Sequence, residues 1–256
     1  MDILTLILFG IIVLVTYFSG GMTGFGSGIL ALPLCTLIVG IKTAICALVV
    51  LGLLQSIYVV CISFRHILWK EYIRIVILVG LGLPFGMIVF SMFSEKLLRE
   101  LLAIIVVIVS IKGLYSEYSQ QAEKQAYNRR QGLSSLGNRM LDLILFLGGC
   151  VHGAYGTGGP LIIIYATQKI KDKRNFRATL CLMWVTVNMY LVIQYIRHGI
   201  LTLGLSDKIT QIVLFSMLFM LTGTILGNFA HERVSGRLFN KVVYFILVLS
   251  SVFLFL

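Results

Sequence analysis

The stretch G-G-M-T-G-F-G-S-G-I-L-A-L-P-L, residues 20–34, puts five glycines and a proline inside a run, residues 3–41, that carries no Asp, Glu, Lys or Arg. A helix that crosses the hydrocarbon of a membrane needs about 20 residues. The run is therefore too long for one untilted crossing, and its excess length falls where the glycines fall. Glycine is permissive at any φ and lets backbones approach closely. The reading is a membrane helix interrupted at Gly20–Gly28, with a new half-helix starting near Gly28.

The rest of the chain fits that setting. Of 256 residues, 59% are hydrophobic and 12% charged, against about 25% charged in a soluble domain. Residues 43–64, 75–94, 143–168, 178–196, 209–231 and 242–256 are also free of Asp, Glu, Lys and Arg, and Leu97–Ile111 is apolar apart from Arg99 and Glu100 near its start. This excludes a soluble enzyme, a secreted domain and a disordered tail. It predicts an all-α polytopic membrane protein with about eight crossings. Spans are expected at Ile3–Gly40, Thr43–Phe64, Ile73–Phe93, Leu97–Tyr115, Arg139–Gln168, Ala178–Ile196, Ile209–Ala230 and Leu238–Leu256. Solid apolar blocks rather than ten-residue alternation argue against a β-barrel. The acidic start M-D-I-L lacks the basic n-region of a cleavable signal.

The glycine stretch recurs. G-M-T-G-F-G-S-G (Gly21–Gly28) and G-A-Y-G-T-G-G-P (Gly153–Pro160) share GxxGxG at an offset of 132 residues. The same offset aligns Tyr58 with Tyr190, Arg65 with Arg197 and His66 with His198, and an offset of 141 aligns Gly82 and Gly86 with Gly223 and Gly227. The expected organisation is two homologous four-span repeats, 1–115 and 139–256, each opened by a glycine-broken helix and joined by the polar linker 116–138. Four crossings per half would make the repeats parallel. Glycine segments that fold back as re-entrant turns would make the count odd and the repeats inverted. With each glycine stretch counted as one crossing, Lys and Arg number 11 on one face and ten on the other, so positive charge does not orient the chain.

Tandem halves are a common plan for secondary transporters, whose sites lie where the repeats meet. Non-helical backbone at membrane depth is tolerated where it is buried in protein or lines an aqueous cavity. Each half-helix start offers unpaired N–H groups and the positive end of a dipole, which favour an anion. The candidate binding residues are Thr23, Gly24, Gly26, Ser27 and Gly28 in the first break and Gly156, Thr157, Gly158 and Gly159 in the second. His152, Tyr155, Ser56 and Asn188 stand near them, Ser56 aligning with Asn188. Small-residue patterns also serve plain helix packing, the role expected of Gly82-Gly86 and Gly223-Gly227. Ser56, Asn188 and Tyr155 are open to the same account. All ten acids fall at span ends or in loops, so the buried counter-charge that a cation carrier needs is missing. His152 reads either as a satisfied core histidine or as a proton carrier. Lys42 and Arg177 would either draw an anion to the mouth or snorkel to headgroups.

Other functions are disfavoured. The formal net charge of +11 sits in short clusters at helix ends, where it anchors helices to anionic headgroups rather than binding nucleic acid. Cys35, Cys46, Cys61, Cys150 and Cys181 show no metal-ligand spacing. No Walker Lys-Ser/Thr follows either glycine run, and no cofactor or catalytic cluster is expected.

With its duplicated glycine motifs, the opening at residues 20–34, G-A-Y-G-T-G-G-P-L at 153–161 and a basic loop leading into R-A-T at 177–179, the chain resembles the TauE/SafE family of sulfite exporters, also called the 4-toluene sulfonate uptake permease family. The resemblance implies a multi-pass protein of the bacterial inner membrane that moves sulfite, thiosulfate, sulfoacetate or a similar sulfur oxyanion. Phe25, Ser27 and Pro160 depart from the glycine-richest versions of the motifs, which points to substrates narrower than aryl sulfonates. The expected function is thus secondary transport of a small anion by alternating access, with the lipid bilayer as surroundings and with a proton carried on His152 or on the substrate. The alternative is a small-anion or small-solute channel.

Overall fold

The computed structural model describes residues 3–118, 135–202, 204 and 207–230. Its elements are α-helices throughout, apart from one 3₁₀ turn. They are α1 (Ile3–Thr23), α2 (Ser27–Val39), α3 (Ile41–Ser63), the 3₁₀ turn Phe64–His66, α4 (Trp69–Met92), α5 (Glu95–Tyr118), α6 (Ser135–Tyr155), α7 (Gly159–Lys169), α8 (Lys173–Arg197) and α9 (Lys208–Ala230). Among the described residues five stretches are long and apolar enough to cross a membrane: α1, α3 with its 3₁₀ turn, α4, α8 and α9. The expected last span, Leu238–Leu256, and most of the linker lie outside the described residues.

Both breaks come where the glycines predict. Between α1 and α2 stand Gly24 at φ +81° and Gly26 at φ +89°, and between α6 and α7 stands Gly156 at φ +63°. Side-chain-bearing residues are strained in that left-handed region, so glycine is required at these three positions. Chain direction then reverses. A Cβ on Gly20 would stand 2.9 Å from the Cβ of Ser27, and one on Gly148 would stand 2.9 Å from Cγ1 of Ile162. Each short helix therefore folds back along the long one before it, and the broken helices are hairpins. Downstream, Asp172 stops the basic loop and starts α8 by accepting the N–H groups of Arg174 and Asn175 at 3.0 and 2.9 Å, an N-cap that satisfies two otherwise orphaned donors.

The hairpins do not pack chiefly within their own half of the chain. α1 lies along α9, and α4 lies along α6. Glycine makes both contacts possible. A Cβ on Gly82 or Gly86 would collide with the carbonyl oxygens of Phe146 and Cys150, and one on Gly223 or Gly227 with those of Leu14 and Phe18. The two glycine pairs thus do the packing expected of them, and each serves the opposite half. Between the two long pairs, α3 packs on α8. These two run antiparallel: Leu68, just past α3, donates its N–H to Thr179 Oγ1 near the start of α8 at 3.0 Å. At the other end Lys42 lies over the Phe90 ring, which contacts Tyr195 near the close of α8. The start of α3 and the start of α8 therefore lie at opposite ends of the molecule.

Tyr17, Leu51, Ile45 and Ile75 are fully buried along this central seam, while Ile77, Leu81, Phe85, Ile88, Leu218 and Phe229 are exposed. The exposed apolar faces of α4 and α9 are those a lipid tail would cover.

Candidate functional site

The two hairpin tips touch. A Cβ on Gly28 would stand 3.6 Å from Oγ1 of Thr157 and 3.7 Å from the carbonyl oxygen of Gly156. The fold thus brings together residues from both glycine motifs, 129 positions apart at Gly28 and Thr157. Thr157 and Ser27 are buried there.

Each tip is pinned by an amide on the third helix of its own half. Ser27, the first residue of α2, donates its hydroxyl to Gln55 Oε1 at 2.8 Å. Gln55 in turn donates Nε2 to the carbonyl of Tyr17 at 3.0 Å and to Thr224 Oγ1 at 3.1 Å. In the second half, Asn188 Oδ1 meets His152 Nε2 at 2.9 Å, and His152 Nδ1 accepts the N–H of Gly158 at 3.1 Å. The His152 ring also lies against Trp184, centroids 5.2 Å apart. Gln55 is therefore a site-forming residue on a par with Asn188, although only its polarity within a span marks it in the sequence.

The remaining candidates divide by what their polar atoms do. Thr23 Oγ1 lies 2.9 Å from the Ser19 carbonyl and 2.8 Å from that of Phe25, and accepts the Phe25 N–H, so it closes the end of α1. Tyr155 donates to the carbonyl of Leu98 at 3.2 Å, a packing role. Ser56 is buried one residue beyond Gln55. Gly158 fits against the Gly148 carbonyl and the Cβ of His152, and Gly159 begins α7, with Pro160 in the first turn. The N-cap residues of α2 and α7, Gly26 and Gly158, have no side chain with which to cap the first-turn N–H groups.

One residue at the tips is a cation. Gly24 packs on Arg177, whose Cγ would stand 2.8 Å from a Cβ on that glycine. Arg177 is 5% exposed, and its Nε and Nη2 have no hydrogen-bond partner. Such burial does not fit a side chain that snorkels to the headgroups. Among the described residues no cluster of His, Cys, Asp or Glu could hold a metal ion.

A second polar cluster lies at the end of the molecule where α4 begins. Arg74 donates to both oxygens of Asp142, at 2.7 and 2.9 Å, and Tyr165 donates to Glu71 at 2.6 Å. Arg74 and Asp142 are 40% and 33% exposed. An ion pair so open to solvent fastens α4 to the second hairpin only weakly.

No curated protein and no solved structure matches the chain. Residues 8–254 match the family model described as Sulfite exporter TauE/SafE. A match over nearly the whole length, on a multi-span helical framework, places the chain in that family, one of multi-pass inner-membrane transporters rather than enzymes.

Proposed function

We propose that the protein is a secondary transporter that moves a small oxyanion, sulfite or a related sulfur oxyanion or organosulfonate, by alternating access, with the anion held between the two hairpin tips. The observation that carries this reading is the contact of Gly28 with Thr157, where two uncapped helix starts face one locus. Backbone N–H groups and the positive ends of α2 and α7 favour an anion there. The Thr157 hydroxyl adds a donor.

The two units, 1–115 and 139–256 with the linker 116–138 between them, are inverted repeats in this reading. Support comes from the exchange of partners, α1 with α9 and α4 with α6, and from the antiparallel run of α3 and α8. The described part of each half then comprises a re-entrant hairpin followed by crossings, α3, α4 and α5 in the first and α8 and α9 in the second. An axis in the membrane plane relates the halves, and rocking about it exposes the tips to either face in turn.

Inversion also orients the chain. Lys42, Lys96, Arg99, Arg197 and Lys208 fall at one end, against Arg65, Lys70, Arg74, Arg139 and the Lys169–Arg177 loop at the other. The richer end faces the cytoplasm by the positive-inside rule. Where transport is coupled to protons, the proton rides on the anion, because both nitrogens of His152 are engaged.

The test is flux into proteoliposomes of purified protein. Sulfite, thiosulfate, sulfate, sulfoacetate, taurine and toluenesulfonate form the panel, with formate and nitrite as sulfur-free controls. Saturable movement of one or two sulfur oxyanions, lost on Gly158→Leu in protein that still inserts, is the expected result. Non-saturating flux of many solutes would make it a channel, and silence across the panel would overturn the reading.

A further inference from the structure

We propose that Arg177 is the charged anchor of the anion site. Its guanidinium grips two oxygens of one oxyanion along its Nε–Nη2 edge, beside the Gly24 turn. The inference rests on the anion-transport reading and adds to it the residue that recognises the charge.

The two tips are built alike. Gly24 packs on Arg177 of α8, and the Cys181 sulfur lies 3.7 Å from the Gly24 carbonyl oxygen. Gly156 packs on Ile45 and Val49 of α3. Every one of these pairs, 24 with 156, 45 with 177 and 49 with 181, is related by the same 132-residue offset. The contact thus needs nothing more than an aliphatic residue, as Ile45 demonstrates. An arginine in the matching position is not there to fill space.

Its surroundings do not neutralise it. The ionisable side chains that face Arg177 are Cys181 and Tyr58, and no carboxylate among the described residues pairs with it. A buried cation without a counter-charge is costly, and inside membrane proteins such groups mark substrate pathways. Nε and Nη2, the two atoms left without a partner, form one edge of the planar guanidinium. That edge offers two parallel N–H bonds, the geometry that matches two oxygens on one central atom. An ammonium cannot present it, and a halide cannot use it. In the proposed orientation Arg177 lies near the cytoplasmic end of α8, so it meets the anion on the cytoplasmic side of the tips.

The experiment is thermal melting of the purified protein in detergent, titrated with sulfite against chloride at constant ionic strength. Sulfite should raise the melting temperature of the wild type, with chloride ineffective. Arg177→Met should melt at or above the wild type without anion, since it removes an unpaired buried charge, and should no longer respond to sulfite. Arg177→Lys keeps the charge without the fork, and should need at least about tenfold more sulfite for the same shift. A Met variant that melts far below the wild type without anion, or a Lys variant with an unchanged sulfite response, would overturn the assignment. Proteoliposome flux separates the two ideas. Wild-type sulfite transport with an unaltered half-saturation in Arg177→Lys removes Arg177 and leaves the transporter. A wild type that neither shifts nor transports any anion removes both.

Discussion

Gly158 donates its backbone N–H to Nδ1 of His152 across 3.1 Å. A neutral imidazole has one donor and one acceptor nitrogen. With Nδ1 accepting, the proton sits on Nε2, which points at Asn188 Oδ1 2.9 Å away. The histidine therefore ties the second tip to α8, and a proton added at Nδ1 would face the Gly158 N–H. Removing the ring leaves that buried N–H unsatisfied, a loss of about 1–3 kcal/mol. His152→Ala should lower both the melting temperature and the flux, yet keep the shape of the flux–pH curve. Flux measured across pH in proteoliposomes decides the matter, since a flattened curve would make His152 the proton carrier.

The glycines of α4 offer an internal control. Gly82 and Gly86 lie against backbone carbonyls of α6, whereas a Cβ on Gly80 meets nothing within 4 Å. A methyl at Gly86 has no flexible side chain to displace and would push two helices apart, at a cost of about 1–3 kcal/mol or more. Gly86→Ala should thus melt well below the wild type, and Gly227→Ala should do the same in the other half. Gly80→Ala should match the wild type. Equal melting of Gly80→Ala and Gly86→Ala in detergent would contradict the α4–α6 contact.

Much of this arrangement is readable from residue spacing, and the part that is not has a physical cause. Glycines that require φ above zero and charge-free runs are local signals, so the breaks and the described helices fall where periodicity and composition predict. The half-helices start at Ser27 and Gly159, the first of them one residue from the expected Gly28. Glycine says that a helix stops, but the angle at which the chain resumes depends on neighbours far along the sequence. The fold-back at Gly148 and Ile162 was for that reason one of two open readings. Side-chain roles suffer the same limit. Ser27 reads as a free donor until Gln55, 28 residues on, accepts its hydrogen bond. Burial of Arg177 depends on the Gly24 turn, 153 residues earlier. Its 132-offset mate Ile45 was the one available hint, since a repeat that swaps an aliphatic residue for a cation breaks its own symmetry.

Lys96 and Lys171 give the topology its sharpest test. Lys96 is in the first turn of α5, next to the end of α4, while Lys171 is in the loop that leads into α8. Parallel repeats put both on one face of the membrane. The inverted repeats proposed from the antiparallel pairing of α3 with α8 put them on opposite faces, with Lys96 outside and Lys171 in the cytoplasm in the proposed orientation. Both positions are exposed. The background carries Ala at Cys61 and Cys150, the two cysteines that are not fully buried. In intact cells a membrane-impermeant maleimide should then label Lys96→Cys, and should label Lys171→Cys only after permeabilisation. Labelling of both from the same side would rule out inverted repeats, and with them the orientation that places Arg177 toward the cytoplasm. The reverse pattern, Lys171→Cys outside and Lys96→Cys inside, would keep the inversion and show that positive charge had been counted at the wrong end.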